Sequence, residues 1–413
     1  MQRKLSDKHF DAISEEVFIY TPIKNILICL YKHTRFIFPK LSNFYFLDFL
    51  IDSFFSKNYN FPMDLELLQF RAETLQKIRQ FFIEKKYLEL DTPAMSPTLI
   101  PETCLEVFSS DYIEPWTNTK KTVYLVPSPE VFIKKIIAKH KVSCFQLSKC
   151  YRNVESVGRT HSPEFTMLEY YTMDISYKES MDLTEKLFEY LLPPIKEGET
   201  DLFAELRPPF IKLSMDEAFE KYAGFKLSDC PKSKDLANHA KRLGIEEIPE
   251  NPFAKWPWDD LYELILVQCV EPALPKEKPV FLYNYPAKVP CLAQDCKELG
   301  KDKKPLWKER WELYGKGIEL ANCYSEETNA QKVKEYFEEE GNLKNQQAII
   351  PHTIDEDYWK TFLDFPKCSG VAMGVDRLIM LLADKRSIES VLPFPFTQHQ
   401  SGPRHRRLPS VSL

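Results

Sequence analysis

The sequence predicts an α+β fold, because apolar patterns typical of helices alternate with short runs typical of strands, and one segment has the form of a β-hairpin. At 413 residues, of which 44% are hydrophobic, the chain is long enough to bury a sizeable core. The helix candidates are residues 64–86, 130–140, 177–191 and 332–340, and the strand candidates are residues 122–126 and 144–151.

The predicted elements begin with an amphipathic helix, in which apolar residues such as Leu65, Leu68, Leu75 and Ile78 recur at helical spacing. The segment YLELDTP follows it and ends in Pro93, where the missing amide donor stops a short strand. Farther along, prolines cluster at positions 208–209 and again over positions 249–257. These clusters predict loops that flank a mostly helical insert.

The two ends of the chain differ from this core, which we assign to residues 63–396. Residues 1–62 are rich in Phe, Tyr, Ile and Lys but carry no pattern that bears chemistry, so we predict an N-terminal extension of unknown role. Residues 397–413 form a basic, proline- and serine-containing tail that cannot bury a core, and we predict it to be disordered. The sequence leaves open whether translation starts at Met1 or Met63.

The composition restricts the partners and the compartment. With 55 basic and 61 acidic residues, the net charge of −6 supplies no overall positive field for nucleic acid. Ten cysteines without a C-x-x-C pair indicate reduced thiols in the cytoplasm. No secretory signal is recognisable, and no apolar run reaches the roughly 18 to 20 residues that span a bilayer, so no membrane role is expected.

Glycines mark the places where a ligand is expected to approach the main chain. The chain has only 11 glycines, and five of them lie in three short segments, at Gly158, at Gly315 and Gly317, and at Gly370 and Gly374. Each of these glycines alone is equally well explained by a turn. The sequence contains neither a P-loop nor a dinucleotide-binding fingerprint, so any use of ATP must follow another binding mode.

The segment CYRNVESVGRTHSPEFTMLEYY, residues 150–171, predicts a hairpin with Arg152 and Glu169 on adjacent antiparallel strands. A guanidinium group there can hold a phosphate in a bidentate way, and a carboxylate can hold an ammonium group. A surface hairpin with solvated charges is the alternative interpretation.

Two further segments contain charged groups in an apolar context. In YGKGIELANCYSEET, residues 314–328, Glu319 and Glu326 require a metal or ammonium cation unless they face water. In KCSGVAMGVDRLIMLL, residues 367–382, a glycine-containing strand runs into a helix that opens with Asp376 and Arg377. Free amides and the arginine predict an anion site there, although a tight turn that packs the core would need only the glycines.

Together these segments resemble the three motifs of the class II aminoacyl-tRNA synthetases, in order, over roughly residues 63–396. YLELDTP is similar to motif 1, whose proline lies at the dimer interface in that class, YRNVE through FTMLEYY is similar to motif 2, and GVAMGVDRL is similar to motif 3. The resemblance implies a mainly antiparallel sheet flanked by helices. It also implies a homodimer and an ATP-dependent ligase that forms an aminoacyl-adenylate with Mg²⁺.

Within the class, VPSPEVFIKKI, SPEFTMLEYY and GIELANCYSEET resemble the lysine branch and, more narrowly, the ligases that modify elongation factor P. No oligonucleotide-binding barrel is recognisable before the core, and Ala372 stands where the tRNA enzymes usually have glycine. The resemblance implies lysine or (R)-β-lysine as substrate and elongation factor P as acceptor, with tRNA not expected. The alternatives are a truncated lysyl-tRNA synthetase or amidating relative, and a catalytically inactive paralogue that acts as a binding protein.

The resemblance also assigns the site residues. The catalytic residues would be Arg152, Glu319 and Arg377, and Glu319 would also hold the metal. The amino-acid substrate would contact Ser128, Glu130, Tyr171 and Glu326. ATP would contact Arg152, Asn153, Val154, Glu155, Ser162, Glu319, Leu320, Gly374 and Arg377.

This sequence departs from the family pattern at several of these positions. Val154 stands where motif 2 usually has glutamate, and Glu155 follows one position late in a loop that is one residue longer. Ser162 stands where members of the family commonly have asparagine, and this difference affects the contacts expected with adenine. Cys323 and Tyr324 replace a more usual Gly-Phe pair.

Overall fold

The computed structural model describes residues 65–396 except 196, 197 and 199. The predictions for residues 1–62 and for the tail at 397–413 lie outside the described residues. No helix of the described part is both long and apolar enough to cross a membrane.

The helices begin where the sequence supplies capping groups or a proline. Ser176 and Glu179 form a capping box at one N-terminus, and Asn329 accepts two amide hydrogen bonds at another. In chain order the helices are α1 Leu65–Glu84, α2 Glu130–His140, α3 Tyr177–Leu191, α4 Met215–Ala223, α5 Ser233–Arg242, α6 Trp258–Ile265, α7 Ala330–Gln347 and α8 Val375–Leu382.

Eleven strands in the described residues form two sheets. They are β1 Leu88–Glu89, β2 Met95–Ser96, β3 Ser109–Ile113, β4 Lys120–Leu125, β5 Cys144–Tyr151, β6 Glu164–Met173, β7 Ile211–Ser214, β8 Val280–Pro286, β9 Trp307–Gly315, β10 Ile318–Ser325 and β11 Cys368–Gly374. The large sheet has the order β1-β5-β6-β11-β10-β9-β8-β7 and is antiparallel except for the β1–β5 and β7–β8 pairs. The small sheet has the order β2-β4-β3.

These elements confirm the α+β prediction. Helices α2 and α3 and strand β5 have the predicted bounds, and β5 and β6 form the predicted hairpin. The second proline cluster was expected to close the helical insert but lies inside it. Helix α6 starts directly after Pro257 and continues as a π-helical turn to Val270, because proline is compatible with the N-terminus of a helix.

The two faces of the large sheet have different environments. Helices α1, α3 and α8 cover one face with an apolar core that includes Phe82, Phe188 and Ile379. Since side chains alternate along a strand, Leu168 and Tyr170 of β6 point into this core, while Glu169 and Tyr171 point to the opposite face. That opposite face carries the charged residues that the sequence singled out.

Candidate active site

One end of the open sheet face carries three carboxylates around a buried lysine. Lys134 of α2 is completely buried and forms ion pairs with Glu130, one helical turn earlier, and with Glu326 at 2.7 Å. Burial by itself would lower the pKa of Lys134, but Glu130 and Glu326 raise it well above its usual value. Burial raises the pKa of Glu326 to about 7, against the opposing effect of Lys134.

A third carboxylate, Glu169, completes this acidic end. The Ser128 hydroxyl donates to one of its oxygens, and the Tyr171 hydroxyl donates to the other at 3.1 Å. Burial and the neighbouring Glu130 raise the pKa of Glu169 to about 8. Because Lys134 already serves the other two carboxylates, this group is the one in need of an external cation.

A glycine permits the close packing of this end. A Cβ atom at Gly370 of β11 would lie 2.2 Å from Glu326 Oε1 and 2.5 Å from Tyr171 Cε1. Ala372, two residues along the same strand, pairs with Glu169 in the adjacent strand β6. The pocket floor is therefore formed by small residues beneath the carboxylates.

The other end of the sheet face is cationic. Arg152 follows the last residue of β5, and its guanidinium group lies 5.3 Å from the centre of the Phe165 ring. No described residue forms a hydrogen bond or an ion pair with this side chain, and its Nε is buried. A partly exposed guanidinium group whose Nε is buried and unsatisfied is suited to an incoming anion.

Arg377, the second arginine of the cationic end, is bonded to the hairpin loop and to β10. Its Nε donates to the Thr160 carbonyl at 3.0 Å, its Nη1 donates to the Glu319 carbonyl at 2.7 Å, and its Nη2 lies 2.8 Å from His161 Nε2. Burial and the charge of Arg377 lower the pKa of His161. The arginine is thus held in place mainly by neutral acceptors, which leave its charge available.

Glu319 lies between the two arginines. Its carboxylate is 3.4 Å from Arg377 Nη1, and the charge of Arg152 also acts on it. Burial and Glu312 raise the pKa of Glu319 to about 7, while the arginines oppose this shift. Because the neighbouring carboxylate of Glu312 favours an added positive charge beside Glu319, a metal ion can take the place of a proton there.

Leu320 differs from the expectation for a nucleotide contact. Its side chain is 2% exposed and lies in the apolar core, because side chains alternate along β10 and Leu320 points opposite to Glu319. Its carbonyl oxygen remains 3.8 Å from the position that a Cβ of Gly374 would take. Only the main chain of Leu320 is therefore available on the nucleotide side.

The hairpin loop has an unusual backbone at the position of the missing glutamate. Val154 has a φ of +60°, a left-handed conformation that is costly for a β-branched residue, and its side chain is 60% exposed. Its amide donates to the Asn153 side chain at 2.9 Å. The charge of Glu155 acts on His161, so this carboxylate lies on the Arg377 side of the loop. Ser162 is buried at the end of the loop.

Sequence reasoning missed three charged groups of this face. Lys134 was detectable from its i,i+4 spacing to Glu130 on a predicted helix. Arg310 of β9 binds Glu312 at 2.6 Å and lies 5.5 Å from the Tyr324 ring centre, but a lone arginine in an apolar strand carried no signal. Glu102 lies in the loop between β2 and β3, its charge interacts with those of Arg152 and Glu130, and no sequence pattern marks it.

Comparison with known proteins places this geometry in a family. The model of class II tRNA synthetases (D, K and N) matches residues 60–398. A relative from Hamiltonella defensa named elongation factor P--(R)-beta-lysine ligase is 32% identical over 79% of this chain and 93% of its own length. Ligases of the same name from Avibacterium paragallinarum and Vibrio vulnificus are 33% and 32% identical over 80% of this chain, and over 95% and 96% of their own lengths. The chain belongs to the class II tRNA synthetases of the D, K and N type, as its three motifs predicted.

Proposed function

We propose that this protein activates lysine or (R)-β-lysine with ATP and transfers it to a lysine side chain of elongation factor P. Membership of the class II family makes the chain an ATP-dependent amino-acid ligase. The relatives named above supply the acceptor and the β-lysine substrate, since their names state both. The observation that carries the proposal is the arrangement of a cationic end and an acidic end on one sheet face.

The acidic end suits an amino acid with two ammonium groups. Glu130, Glu169 and Glu326 together contribute three negative charges when ionised, and Lys134 offsets only one of them. The two ammonium groups of such a substrate would neutralise the other two negative charges. Ser128 and Tyr171 would orient the Glu169 carboxylate through their hydrogen bonds. An apolar amino acid would leave the buried carboxylates without a partner, which is a strong basis for rejection.

In the first step, the substrate carboxylate attacks the α-phosphorus of ATP, and pyrophosphate leaves. Arg152 would hold the α-phosphate, since its buried Nε has no hydrogen-bond partner among the described residues. Arg377 would lie against the far side of the nucleotide, held by Thr160 and Glu319. These residues position two anions and neutralise the charge that develops on phosphate oxygens, so no protein nucleophile is required.

The residues present fit a magnesium ion that is shared with ATP. Mg²⁺ is usually bound by one or two carboxylates together with substrate phosphates and water, and Glu319 has a second carboxylate, Glu312, in its electrostatic neighbourhood. No group of three or more candidate ligands occurs among the described residues, so a cage made of protein alone is not the arrangement proposed. Glu319 would hold the ion, which would neutralise phosphate charge when bound.

The oligomer and the compartment also belong to the proposal. Leu88 and Met95, which flank the motif 1 proline, are 51% and 55% exposed, and an isologous dimer through this segment would cover them. Sedimentation velocity would test the dimer, and a monomer at micromolar concentration would contradict it. We expect the protein to act in the cytoplasm, where elongation factor P is made.

ATP–pyrophosphate exchange with α-lysine and (R)-β-lysine in parallel tests the proposed activity. We expect exchange that depends on a lysine-type amino acid and on Mg²⁺, followed by transfer of labelled amino acid to elongation factor P and not to tRNA. Transfer to tRNA alone would favour a truncated synthetase. Absence of exchange with every amino acid would favour an inactive paralogue.

A further inference from the structure

The connection between β8 and β9 lies beside the residues that follow β10. Ala293 forms an isolated antiparallel β-bridge with Glu326. The Glu327 amide donates to the Leu292 carbonyl at 2.9 Å. Glu326 belongs to the acidic end, where its carboxylate pairs with Lys134. The main chain that carries this carboxylate is therefore bonded to the β8–β9 connection, to which the mechanism above gives no task.

Gln294 adds a second link to the same residue. Its Nε2 donates to the Glu326 carbonyl at 2.9 Å, and its own carbonyl accepts from the Glu309 amide of β9 at 2.8 Å. On the other side, the Glu326 amide donates to the Cys368 carbonyl of β11 at 3.0 Å. Glu326 is thus held between the β8–β9 connection and β11, so a shift of the connection would move it.

An aspartate at the end of this segment joins two lysines from different elements. Asp295 Oδ1 lies 2.8 Å from Lys308 Nζ of β9, and Asp295 Oδ2 lies 2.6 Å from Lys332 Nζ of α7. Lys332 Nζ also lies 3.5 Å from a carboxylate oxygen of Glu327, the residue after Glu326. We call these four side chains, Asp295, Lys308, Lys332 and Glu327, the Asp295 clamp. The clamp ties the β8–β9 connection to β9 and to the start of α7.

The Asp295 clamp is partly shielded from solvent. The side chains of Asp295, Lys308 and Glu327 are 23%, 13% and 8% exposed, and that of Lys332 is 47% exposed. Burial would raise the pKa of Asp295, but the hydrogen bonds from Lys308 and Lys332 lower it below its usual value. Partly buried ion pairs are screened by salt less than exposed ones, so these contacts persist at physiological ionic strength.

The position of Glu326 relative to β10 bears on the length of the substrate. The strand runs from Ile318 to Ser325, so Glu319 lies at its beginning and Glu326 directly after its end. At about 3.3 Å per residue, the strand separates these two glutamates by roughly 20 Å. The amino acid must place its carboxyl group at the α-phosphate and an ammonium group at Glu326 at the same time. Its reach is therefore measured against the position of Glu326.

We propose that the Asp295 clamp positions Glu326 and thereby sets the length of the amino acid that the pocket accepts. Both carboxylate oxygens of Asp295 are bonded to lysines, so Asp295 is a positioning residue that acts through residues 292–294. This role rests on the proposed function, because it concerns amino-acid activation at the same site. A misplacement of about 1 Å can cost about 10²-fold in rate, and one methylene group changes the preference by about 10- to 200-fold.

ATP–pyrophosphate exchange with two amino acids of different length tests this role. The pair is lysine and ornithine, or (R)-β-lysine and the β-amino acid that is one methylene shorter, whichever pair the wild type activates. Wild type should prefer the longer amino acid by about tenfold or more in kcat/KM. In Asp295→Asn, KM for the longer amino acid should rise and the preference should fall at least about threefold, while KM for ATP stays within about twofold.

Further variants separate positioning from general stability. Asp295→Glu keeps the negative charge and should retain most of the wild-type preference. Asp302→Asn changes an exposed acid of the same connection and should leave the preference and both KM values unchanged. Lys332→Met removes one arm of the clamp at a half-exposed side chain and should lower the preference in the same direction. It carries the comparison if Asp295→Asn does not fold.

The wild type and the clamp variants together distinguish this role from the proposed function. Absence of exchange in wild type with every lysine-type amino acid would remove the proposed function, and this role with it. Normal exchange in wild type, with no length preference or with the same preference in Asp295→Asn and Lys332→Met, would overturn the positioning role alone. Equal rises in KM for ATP and for the amino acid would also overturn it, because general loosening of the fold affects both ends.

Discussion

The acidic and cationic ends of the cavity differ in how completely they are built. At the acidic end, Lys134, Ser128 and Tyr171 already hold three buried carboxylates over the glycine floor. At the cationic end, Arg152 has no bonded partner, and Arg377 is bound mainly by neutral acceptors. The amino-acid pocket is therefore preorganised by its own internal cation, whereas the nucleotide site completes its charge pairs with the ligand.

Removal of the Lys134 ammonium group should have the largest effect, because it destabilises the acidic end. Lys134→Met leaves Glu130 and Glu326 buried without their partner, which typically costs about 3 to 5 kcal/mol. We expect a lower free energy of unfolding in urea and loss of exchange activity, with partial recovery of stability at pH 5, where Glu326 is protonated. The control Lys139→Met, on the exposed side of α2, should stay within about 0.5 kcal/mol of wild type. Unchanged stability of Lys134→Met would contradict the comparison.

Truncation of the free arginine should affect chemistry and leave the fold intact. Because Arg152 makes no hydrogen bond or ion pair with a described residue, Arg152→Ala should keep the wild-type Tm while ATP–pyrophosphate exchange falls by about 10² to 10³-fold. Arg386→Ala, at an exposed position, is the matched control. Exchange at the wild-type rate in Arg152→Ala would remove this arginine from the mechanism.

A methyl group added at Gly370 should impair the acidic end of the site more than the cationic end. In Gly370→Ala the new Cβ would collide with Glu326 and Tyr171, and overpacking of this kind typically costs about 1 to 3 kcal/mol. We expect KM for the amino acid to rise much more than KM for ATP in the exchange assay. Gly158→Ala has its nearest atom at 3.8 Å and should be tolerated. Equal changes in the KM values for the amino acid and for ATP would mean that the two ends do not bind different substrates.

The pH dependence of amino-acid binding should give the smallest effect. Glu169 has a pKa of about 8 in the empty protein, so a substrate ammonium group must displace its proton at lower pH. We expect KM for the amino acid to fall as the pH rises from 6 to 8, and Glu169→Gln to remove that slope.

The same raised pKa has a consequence for the stability of the empty protein. A carboxyl group with a folded pKa above its unfolded value stabilises fully below the unfolded pKa, and the contribution is lost as the pH rises through the folded pKa. The Tm without ligand should therefore decline between about pH 4.5 and 8, and a saturating amino acid should reduce the decline. A Tm that increases over this interval would contradict the assignment.

The sequence predicted local elements and the motif order well, because helix and strand periods are local properties. Helix α2 and strand β5 have the predicted bounds, and the Arg152 hairpin forms as expected. The burial of Leu320 opposite Glu319 follows from the alternation of side chains along a strand, but the bulge between Glu319 and Ala321 was not predictable. Bulges are set by pairing between strands, which a single sequence does not display.

The charges of the site were predictable only where they belong to a motif. The internal pairing of Lys134 with Glu326 joins residues almost two hundred positions apart, and only the helical half of that cluster is visible in sequence. The loop that carries Glu102 is held beside Asn153 and α7 by hydrogen bonds of Glu106 and Thr103. Such contacts arise from tertiary structure, so no periodic pattern or residue spacing in the sequence indicates them.

The acidic and cationic ends should bind one ligand together, and an adenylate analogue that joins lysine to adenosine through a sulfamate tests this. Calorimetric titration should give one site per chain and an affinity at least 10²-fold above that of lysine or AMP alone, since linking the parts makes the second contact intramolecular. Arg152→Ala and Glu326→Gln should each weaken binding of the analogue. An analogue that binds no better than its parts, or equally well to both variants, would contradict a shared cavity.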